Sequence, residues 1–588
     1  MAGGTPTQTA AARPAAAAAT VRRKRVRPAA GLRPLAIALA AVLALLVIPP
    51  ILSLIAMSFS DTGSDGAASG LTLAHYAELI QDRSFIAVVF NTVVFAGSAT
   101  LISLLVGGTL AWLVERTNTP FKRLATLTAI VSLGTPYVLY VMAWLYLLGH
   151  SGPVNQLYRA LTGSSGVLFD PYTLPGMIIV EGFLWSPLVY LLMAATFRMA
   201  NAEMEEAARV NGATVLDTIW LVSLRLAWPA ILALAIFVFI RNVESFEVPA
   251  LVGIPGNVRV LTTDIYLAVK EFPPQLGHAA SFSVVMLVLI TGLIALYGRI
   301  ARRADRYASV TGKGYRPRPF DLGAGRAVAG AVILVIFLLV LALPLMALIW
   351  MAATPFVGPV SVAALKNMTL ANFRAVLTAP TYLTLVTNTL TVSIFAATAA
   401  MLITGVAGWL AARRQFGGRL IDQLATAPLI FPGIVLGVAA IDLSLRLPFA
   451  LYGTIWLIGI AYLIRYMPYG MRYAYSGVLQ LHKELEEASA VSGAGLIGTF
   501  LRIVAPLLSP ALMAGWLFIF LIASRELSIA VLLSGPRSQV IAVAMLDLWQ
   551  NGQAGELSAL GLLWTVLMVV AASLFQFVER RSARKTFG

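Results

Sequence analysis

Two groups of ionisable residues lie inside long apolar stretches of the sequence. Arg241, Glu244 and Glu247 fall near the end of one apolar run, and Arg525 with Glu526 falls near the end of another. A charged side chain in hydrocarbon costs about 3 kcal/mol on insertion scales, so such residues mark pathways or pair inside the protein. The chemistry they offer is charge pairing, and we take these five residues as a candidate pathway or gate.

The two groups are related by a fixed spacing, because an offset of 281 residues carries Glu244 onto Arg525. If the two halves of the chain face each other, this opposite-charge pair could close the outer mouth of a pathway. Alternatively, Arg241 and Glu244 pair within their own helix at i, i+3, and Arg525 is satisfied by carbonyl groups or a headgroup. Both interpretations stay open from the sequence.

Other reactive residue types are scarce. There are no cysteines, and the four histidines, His75, His150, His278 and His482, are scattered without metal-ligand spacing. No phosphate-binding Gly-x4-Gly-Lys-Ser/Thr motif occurs, and the closest string is TGKG at 311–314. We therefore predict no catalytic residue, no metal site and no bound cofactor in this chain.

A polar segment occurs twice between apolar runs. It reads EEAARVNGA from Glu205 and EEASAVSGA from Glu486. Glu and Ala favour a helix, the Gly allows a sharp exit from it, and the following residues are predicted to form a short amphipathic helix on the membrane face. Two matched exposed helices suit docking to a two-fold symmetric partner. The residues assigned to these loops are Glu206, Ala207, Ala208, Gly212, Glu487, Ala488, Ser489 and Gly493.

The elements that must position these residues are membrane spans. The 588 residues are 59% hydrophobic and 12% charged, whereas soluble domains carry about a quarter charged residues. Repeated apolar stretches of about 20 residues are long enough to cross a bilayer. We predict an all-α integral membrane protein with about 12 spans, near 35–58, 86–114, 124–149, 174–198, 226–250, 279–299, 327–352, 385–411, 421–447, 452–474, 507–533 and 556–578.

The spans divide into two homologous six-helix bundles. Asn91-Thr92 and Trp112 recur as Asn388-Thr389 and Trp409, and the 281-residue offset relates the two polar segments. Both copies have an even number of spans and run in the same direction, which predicts a parallel repeat about a pseudo-two-fold axis along the membrane normal. The predicted divisions are a disordered basic tail at 1–34, a first half at 35–300, a linker at 301–326, a second half at 327–579 and a tail at 580–588.

The net charge of +16 is spread over short segments between the apolar runs. This distribution argues against a nucleic-acid partner and follows the positive-inside rule if both termini are cytoplasmic. We therefore expect a multi-pass protein of the bacterial inner membrane in contact with the lipid bilayer.

The duplicated segment resembles the cytoplasmic loop of the ABC importer permeases, whose pattern is Glu-Ala-Ala, three residues, Gly, and a later Leu-Pro-like ending. The resemblance covers both halves, with departures at Ser489 and at Arg225, where proline is expected. It implies that Glu206–Gly212 and Glu487–Gly493 are coupling helices that insert into two copies of a separate ATPase subunit. It also implies that ATP-Mg is bound by those partners and that a periplasmic or lipid-tethered binding protein delivers the cargo.

Within that family, the double-length chain and the segments at 244–249 and 525–528 look most like the ferric-iron permeases. The resemblance implies alternating access for ferric iron; polyamine, thiamine and aminoethylphosphonate importers share much of the pattern and remain alternatives. A secondary transporter of the major-facilitator type also has twelve spans, but its signature loop is absent after the second span. A non-transporting assembly or sensor protein does not explain two matched loops.

Overall fold

The computed structural model describes residues 33–62, 68–199, 202–304, 319–356, 358 and 360–587. The predicted N-terminal tail, apart from its last two residues, and most of the predicted linker lie outside these ranges. The described chain is helical apart from one two-stranded antiparallel hairpin, β1 (Ser60–Thr62) and β2 (Ala68–Leu71).

Twelve α-helices lie in the first half. They are α1 (Arg33–Ser58), α2 (Ala74–Gln81), α3 (Arg83–Arg116), α4 (Lys122–Gly134), α5 (Tyr137–Leu148), α6 (Pro153–Thr162), α7 (Leu174–Met199), α8 (Ala202–Val210), α9 (Val215–Thr218), α10 (Leu224–Val243), α11 (Leu261–Lys270) and α12 (Leu276–Ala304). Two π-helical turns, Ile219–Ser223 and Pro249–Gly253, precede and follow α10.

Fourteen α-helices lie in the second half. They are α13 (Gly325–Phe337), α14 (Leu343–Ala353), α15 (Val362–Lys366), α16 (Ala371–Thr378), α17 (Pro380–Ala412), α18 (Gly418–Thr426), α19 (Gly433–Arg446), α20 (Ile455–Gln480), α21 (Lys483–Val491), α22 (Leu496–Thr499), α23 (Ala505–Ala523), α24 (Ala530–Leu533), α25 (Ile541–Gln550) and α26 (Ala554–Phe587). Turns of π-helix at Leu338–Ala342 and Phe500–Val504 and a 3₁₀ turn at Ala427–Ile430 join neighbouring helices.

The described residues contain nine single helices that are long and apolar enough to cross a membrane. Two further candidates are bent pairs: α4 meets α5 at 113° and α18 meets α19 at 104°. Helix α20 is also 26 residues long but is more polar, with Arg465 and Arg472 along it. The fold is that of an all-α membrane protein, as predicted.

The predicted spans 226–250 and 507–533 are too long at their ends. The spanning helices stop at Val243 and Ala523, and the chain turns into short segments before α11 and α25. Apolar composition alone could not place these breaks, because the short segments that follow are themselves apolar and buried.

The two halves repeat element by element. From α7 to α9 and from α20 to α22 the helices match at an offset of 281 residues, while α3 and α17 begin 297 residues apart. The difference arises between the bent pair and the next span, where the first half carries α6 and the second half has no corresponding helix. Helix α6 therefore breaks the symmetry of the repeat.

The first helix of each half packs against the other half. Helix α1 contacts α18 and α19 as well as α12 of its own half, and the corresponding pair α13 and α14 contacts α4 and α5 as well as α26. Each bent pair is therefore packed against helices from the opposite half. This exchange joins the two bundles into one body.

Helices α11 and α25 are held at their first residues by the repeated Asn-Thr pair. The Thr92 hydroxyl accepts from the N–H of Leu261 at 3.0 Å, and the Thr389 hydroxyl accepts from the N–H of Ile541 at 2.9 Å. These hydroxyls satisfy helix N–H groups that have no partner within the helix. The repeat found in the sequence thus reflects a shared structural anchor.

Candidate functional site

The duplicated polar segments form the same structure twice. Each makes a nine-residue helix, α8 or α21, that follows a spanning helix and ends in a tight turn. In both copies the chain then runs from a short helix through a π turn into the next span, α10 or α23. We refer to residues 202–213 and 483–494 as the paired loops.

A glycine ends the helix of each loop. Gly212 has a φ of +86° and Gly493 a φ of +82°, the left-handed region that side chains disfavour. The N–H of Ala213 donates to the carbonyl of Ala208 at 3.0 Å, and Ala494 donates to Ser489 at 3.1 Å. This is the Schellman form of helix ending. A Cβ on either glycine would meet no atom within 4 Å, so the requirement for glycine comes from the backbone angle.

Each loop exposes apolar side chains at matching positions. Val210 is 88% exposed and its counterpart Val491 is 89% exposed, while Met204 and Leu485 are 54% and 45% exposed. Large apolar residues exposed at the same places on two related helices are typical of a binding surface. The two surfaces together fit a partner with two equivalent sites.

The inner side of each loop is tied to the preceding long helix by an ion pair. Glu205 lies 3.5 Å from Arg116 at the end of α3, and both side chains are buried. Glu486 lies 2.7 Å from Arg413 just after α17 and also accepts from the indole of Trp409 at 3.0 Å. The loops are therefore fixed to the spanning helices through Glu205 and Glu486, each one position before Glu206 or Glu487.

The departures from the family pattern do not disturb the helices. The Ser489 hydroxyl contacts that of Thr499 at 2.9 Å and so links α21 to α22, and Arg225 lies within the continuous helix α10. The prediction of a separate amphipathic helix after the glycine was wrong. Residues from Ile219 and from Leu496 instead belong to the spanning helices, because a π turn lets each short helix continue into the span.

The candidate gate lies where the two halves meet. Glu244 accepts from Arg241 at 2.6 Å and from Arg465 of the second half at 2.7 Å. Arg465 also donates to the carbonyl of Phe431, and the side chains of Glu244 and Arg465 are almost completely buried. An ion pair therefore does cross between the halves, but through Arg465. The i, i+3 pair is present as well.

The predicted partner Arg525 lies elsewhere in the same region. Its guanidinium carbon is 4.5 Å from the ring centroid of Tyr137 on α5, so it also contacts the opposite half. Glu526 accepts from Ser528 and Tyr466, and half-buried Glu247 follows Glu244 in the turn after α10. The five predicted residues thus belong to one polar region, with a different pairing from the one expected.

Two features of these sites were not predicted from the sequence. Arg465 was not among the five candidate gate residues, because its counterpart in the first half is Leu184 and the 281-residue register offers no partner for it. The ties from Arg116 and Arg413 were also missed. The repeated spacing Trp112-x3-Arg116 and Trp409-x3-Arg413 was a signal for them.

A cavity of about 690 Å³ opens on the side opposite the paired loops. It lies between the halves, lined by α11 and α25 and by the segments that precede them, and includes Lys270 and Asp547. Across the described ranges, no three His, Asp or Glu side chains are grouped to hold a metal ion.

On the loop side, exposed Asp217 accepts from the hydroxyl and the N–H of Thr214, and these hydrogen bonds lower the pKa of Asp217. The bonds fix the start of α9. The corresponding residues of the second half are Gly495 and Gly498, so the two loops are not chemically identical.

Comparison with known proteins finds one family in both halves. The profile described as "Binding-protein-dependent transport system inner membrane component" matches residues 103–306 and 404–586, which include both loops and all five candidate gate residues.

Similar individual proteins span most of the chain. A ferric transport system permease protein of Actinobacillus pleuropneumoniae is 25% identical over 84% of this chain and 71% of its own length. A Sinorhizobium fredii (strain NBRC 101917 / NGR234) protein described as a probable ABC transporter permease is 25% identical over 87% of this chain and 90% of its own. A spermidine/putrescine permease protein of Haemophilus influenzae (strain ATCC 51907 / DSM 11121 / KW20 / Rd) is 24% identical over 33% of this chain and 76% of its own.

Proposed function

The chain belongs to the family of binding-protein-dependent transport system inner membrane components and is an ABC importer permease of the inner membrane, and from this premise we propose that it passes ferric iron. In this proposal two separate ATPase subunits dock on the paired loops and a binding protein delivers cargo to the opposite face. Both termini are then cytoplasmic.

The observation that carries the proposed coupling is the matched geometry of the paired loops. Both end in a left-handed glycine, both expose a valine and a second apolar residue, and both are tied inward by a glutamate. Identical ATPase subunits require two equivalent surfaces, and this chain supplies them within one polypeptide. ATP-Mg is bound and hydrolysed by those partners, since the chain lacks a phosphate-binding motif.

Coupling to the gate follows from the continuity of α10. The chain runs from the first loop through α9 and the π turn into α10, and Glu244 follows directly after that helix. When ATP draws the two ATPase subunits together, the loops move with them and α10 carries the displacement to the ion pairs between the halves. Exchange between two packings of the halves then alternates access to the pathway. The free energy comes from the different affinity of the ATPase for the two states.

Ferric iron is supported by the double-length relative of Actinobacillus pleuropneumoniae, which bears the name of a ferric transport permease. The polyamine alternative is supported by a relative that covers a third of the chain. Thiamine and aminoethylphosphonate importers share the loop pattern. Since a binding protein selects the cargo in this class of importer, the cargo is best identified through that partner.

The test of coupling replaces the two loop glycines. The chain is reconstituted with its ATPase and binding protein, and Gly212→Val with Gly493→Val is compared with wild type. We expect the double variant to abolish hydrolysis stimulated by the binding protein, because valine at a φ near +85° distorts the helix ending. Gly323→Val is the matched control, since Gly323 also has a positive φ and open space around it but lies outside both loops, just before α13.

Stimulated hydrolysis at the wild-type level in the double variant would refute coupling through these loops. The cargo is tested in the same preparation by loading the binding protein with ferric iron, spermidine, thiamine or aminoethylphosphonate. We expect only the ferric form to stimulate hydrolysis and uptake. If another cargo stimulates hydrolysis and ferric iron does not, the importer assignment stands and ferric iron is rejected as the substrate.

A further inference from the structure

A second cavity, of about 790 Å³, lies at the turn between α17 and α18. It is lined by Arg414, Arg419, Asp422 and Tyr475 among others. The turn is on the same side of the molecule as the paired loops, because the neighbouring residue Arg413 is bound to Glu486. This cavity plays no part in the proposed pathway.

Three charged side chains line the cavity without ionic partners. Within the described ranges, neither Arg414 nor Arg419 forms an ion pair. The Oδ1 atom of Asp422 is buried and has no hydrogen-bond partner among the described residues. Buried polar atoms are nearly always paired, so the Asp422 carboxylate lacks an expected partner, while Arg414 and Arg419 are exposed beside it and free to bind an anion.

The corresponding turn of the first half is filled by the chain itself. Between α3 and α4, the N–H of Asn118 donates to the carbonyl of Phe320 at 2.9 Å, and the Asn118 side chain donates to Asp321 at 2.6 Å. Phe320 is buried there, 6.1 Å from Trp112 between ring centroids. Among the described residues, the α17–α18 turn is contacted instead by the start of α1, where the guanidinium of Arg33 lies 5.6 Å from the ring centroid of Phe416, and the polar cavity lies beside this contact.

The cavity is positioned at the surface of the bilayer. Helix α19 packs along the spanning helix α1, and α18 meets α19 at 104°, so α18 runs across the bundle. Ile421 and Ala425 are buried on its inner side, while Leu420 and Phe416 beside the cavity are about half exposed. An amphipathic helix in this orientation lies at the depth of lipid headgroups.

We infer that this cavity binds the phosphoethanolamine headgroup of a membrane lipid. The phosphate is held by Arg414 and Arg419, since guanidinium groups match phosphate oxygens in geometry and charge. The ammonium group pairs with the carboxylate of Asp422, which lines the cavity. A headgroup without an amine would leave that carboxylate without a donor, and exposed Leu420 and Phe416 offer an apolar surface for the acyl chains.

The site lies one residue from a contact of the second loop. Arg413 is bound to Glu486, and Arg414 has a left-handed backbone with a φ of 52°. Binding of a headgroup to Arg414 therefore stabilises the turn that holds the second loop. Lipid composition would act on the second half alone.

The test measures lipid binding to the complete chain, purified with its partner subunits, by native mass spectrometry. Phosphatidylethanolamine, phosphatidylcholine and phosphatidylglycerol are titrated separately. We expect about a tenfold preference for phosphatidylethanolamine over the other two, the scale set by one charge-assisted hydrogen bond. Asp422→Asn should remove the preference, and Arg414→Gln with Arg419→Gln should weaken binding of all three lipids.

Arg123→Gln is the matched control, because Arg123 is the second residue of α4 as Arg419 is of α18. It should leave the lipid preference unchanged. Equal binding of the three lipids by wild type, or an unaltered preference in Asp422→Asn, would overturn the inference. Binding of soluble O-phosphoethanolamine without binding of the lipid would reject the membrane as the source. A preference that emerges only after removal of residues 1–32 would identify the N-terminal segment as the occupant instead.

Discussion

Glu244 is the centre of the ion pairs in the candidate gate, because it is bound to one arginine from each half. Removing one member of a buried ion pair typically costs about 3–5 kcal/mol, since the other charge is left without a partner. We expect Glu244→Gln and Arg465→Gln each to weaken the ion-pair contact between the two halves. ATP hydrolysis by the partner ATPase in the absence of binding protein should then rise. The reconstituted ATPase assay measures this directly.

A double-mutant cycle separates the two candidate partners of Glu244. Glu244→Arg with Arg465→Glu should recover part of the transport that each single change loses, while Glu244→Arg with Arg525→Glu should recover none. Recovery with Arg525 and none with Arg465 would reverse the assignment. Arg525 instead contacts Tyr137, and its substitution should act through that ring.

The ion pairs that hold the paired loops to the spanning helices predict that the same substitution destabilises the two loops to different extents. Glu205 and Arg116 are both buried, whereas Glu486 is 18% exposed. Glu205→Gln should therefore loosen α8 more than Glu486→Gln loosens α21, because water can solvate the second site. Hydrogen exchange of the two helices in the purified chain measures the difference. Equal protection in both variants would contradict it.

Residue identity indicated candidate positions but not the contacts that those residues make. The glycines and glutamates of the loops were visible because they repeat at one offset. Arg465 could not be assigned to Glu244, since a sequence register relates equivalent positions, whereas contacts across a pseudo-two-fold join positions that are not equivalent. Which residue Arg465 contacts depends on its depth in the membrane and on the rotation of its helix about the helix axis, and sequence spacing specifies neither.

At the scale of elements, the hydroxyls of Thr92 and Thr389 hold the starts of α11 and α25. Thr92→Val leaves the buried N–H of Leu261 without an acceptor, at a cost of about 1–3 kcal/mol. We expect faster amide exchange at the start of α11 in this variant. Thr404→Val is the control, because the buried Thr404 hydroxyl bonds only to the carbonyl of Ala400 in its own helix. Equal changes in both variants would argue against the anchoring role.

The spans were predictable as elements because a continuous apolar stretch of about 20 residues is typical of a membrane-spanning helix. Their breaks were not, because the turn after Val243 is stabilised by tertiary contacts with no local signature. Asn242 illustrates this: its side chain donates to the hydroxyl of Thr100 on α3 at 3.0 Å. Such a contact between distant parts of the sequence fixes where a helix stops, and it cannot be predicted from apolar composition.

At the scale of the molecule, the exchange of first helices makes the halves mutually dependent. Helix α1 covers α18 and α19, and α13 with α14 covers α4 and α5. If the chain is divided between residues 304 and 319, we expect the two pieces to co-purify when expressed together and to be degraded when expressed alone. Proteolysis of each piece in membranes measures this, and a stable isolated half would show that the exchange is dispensable.

Helix α6 occurs in the first half alone and lies on the side opposite the paired loops. A binding protein with two unequal lobes has no rotational symmetry, so a symmetric face would accept it in two orientations half a turn apart. The presence of α6 gives those two orientations different free energies. On the proposed function, the chain therefore joins partners of unequal stoichiometry. Its cytoplasmic face carries two equivalent sites for two identical ATPase subunits, and its opposite face is asymmetric and accepts one binding protein in one orientation.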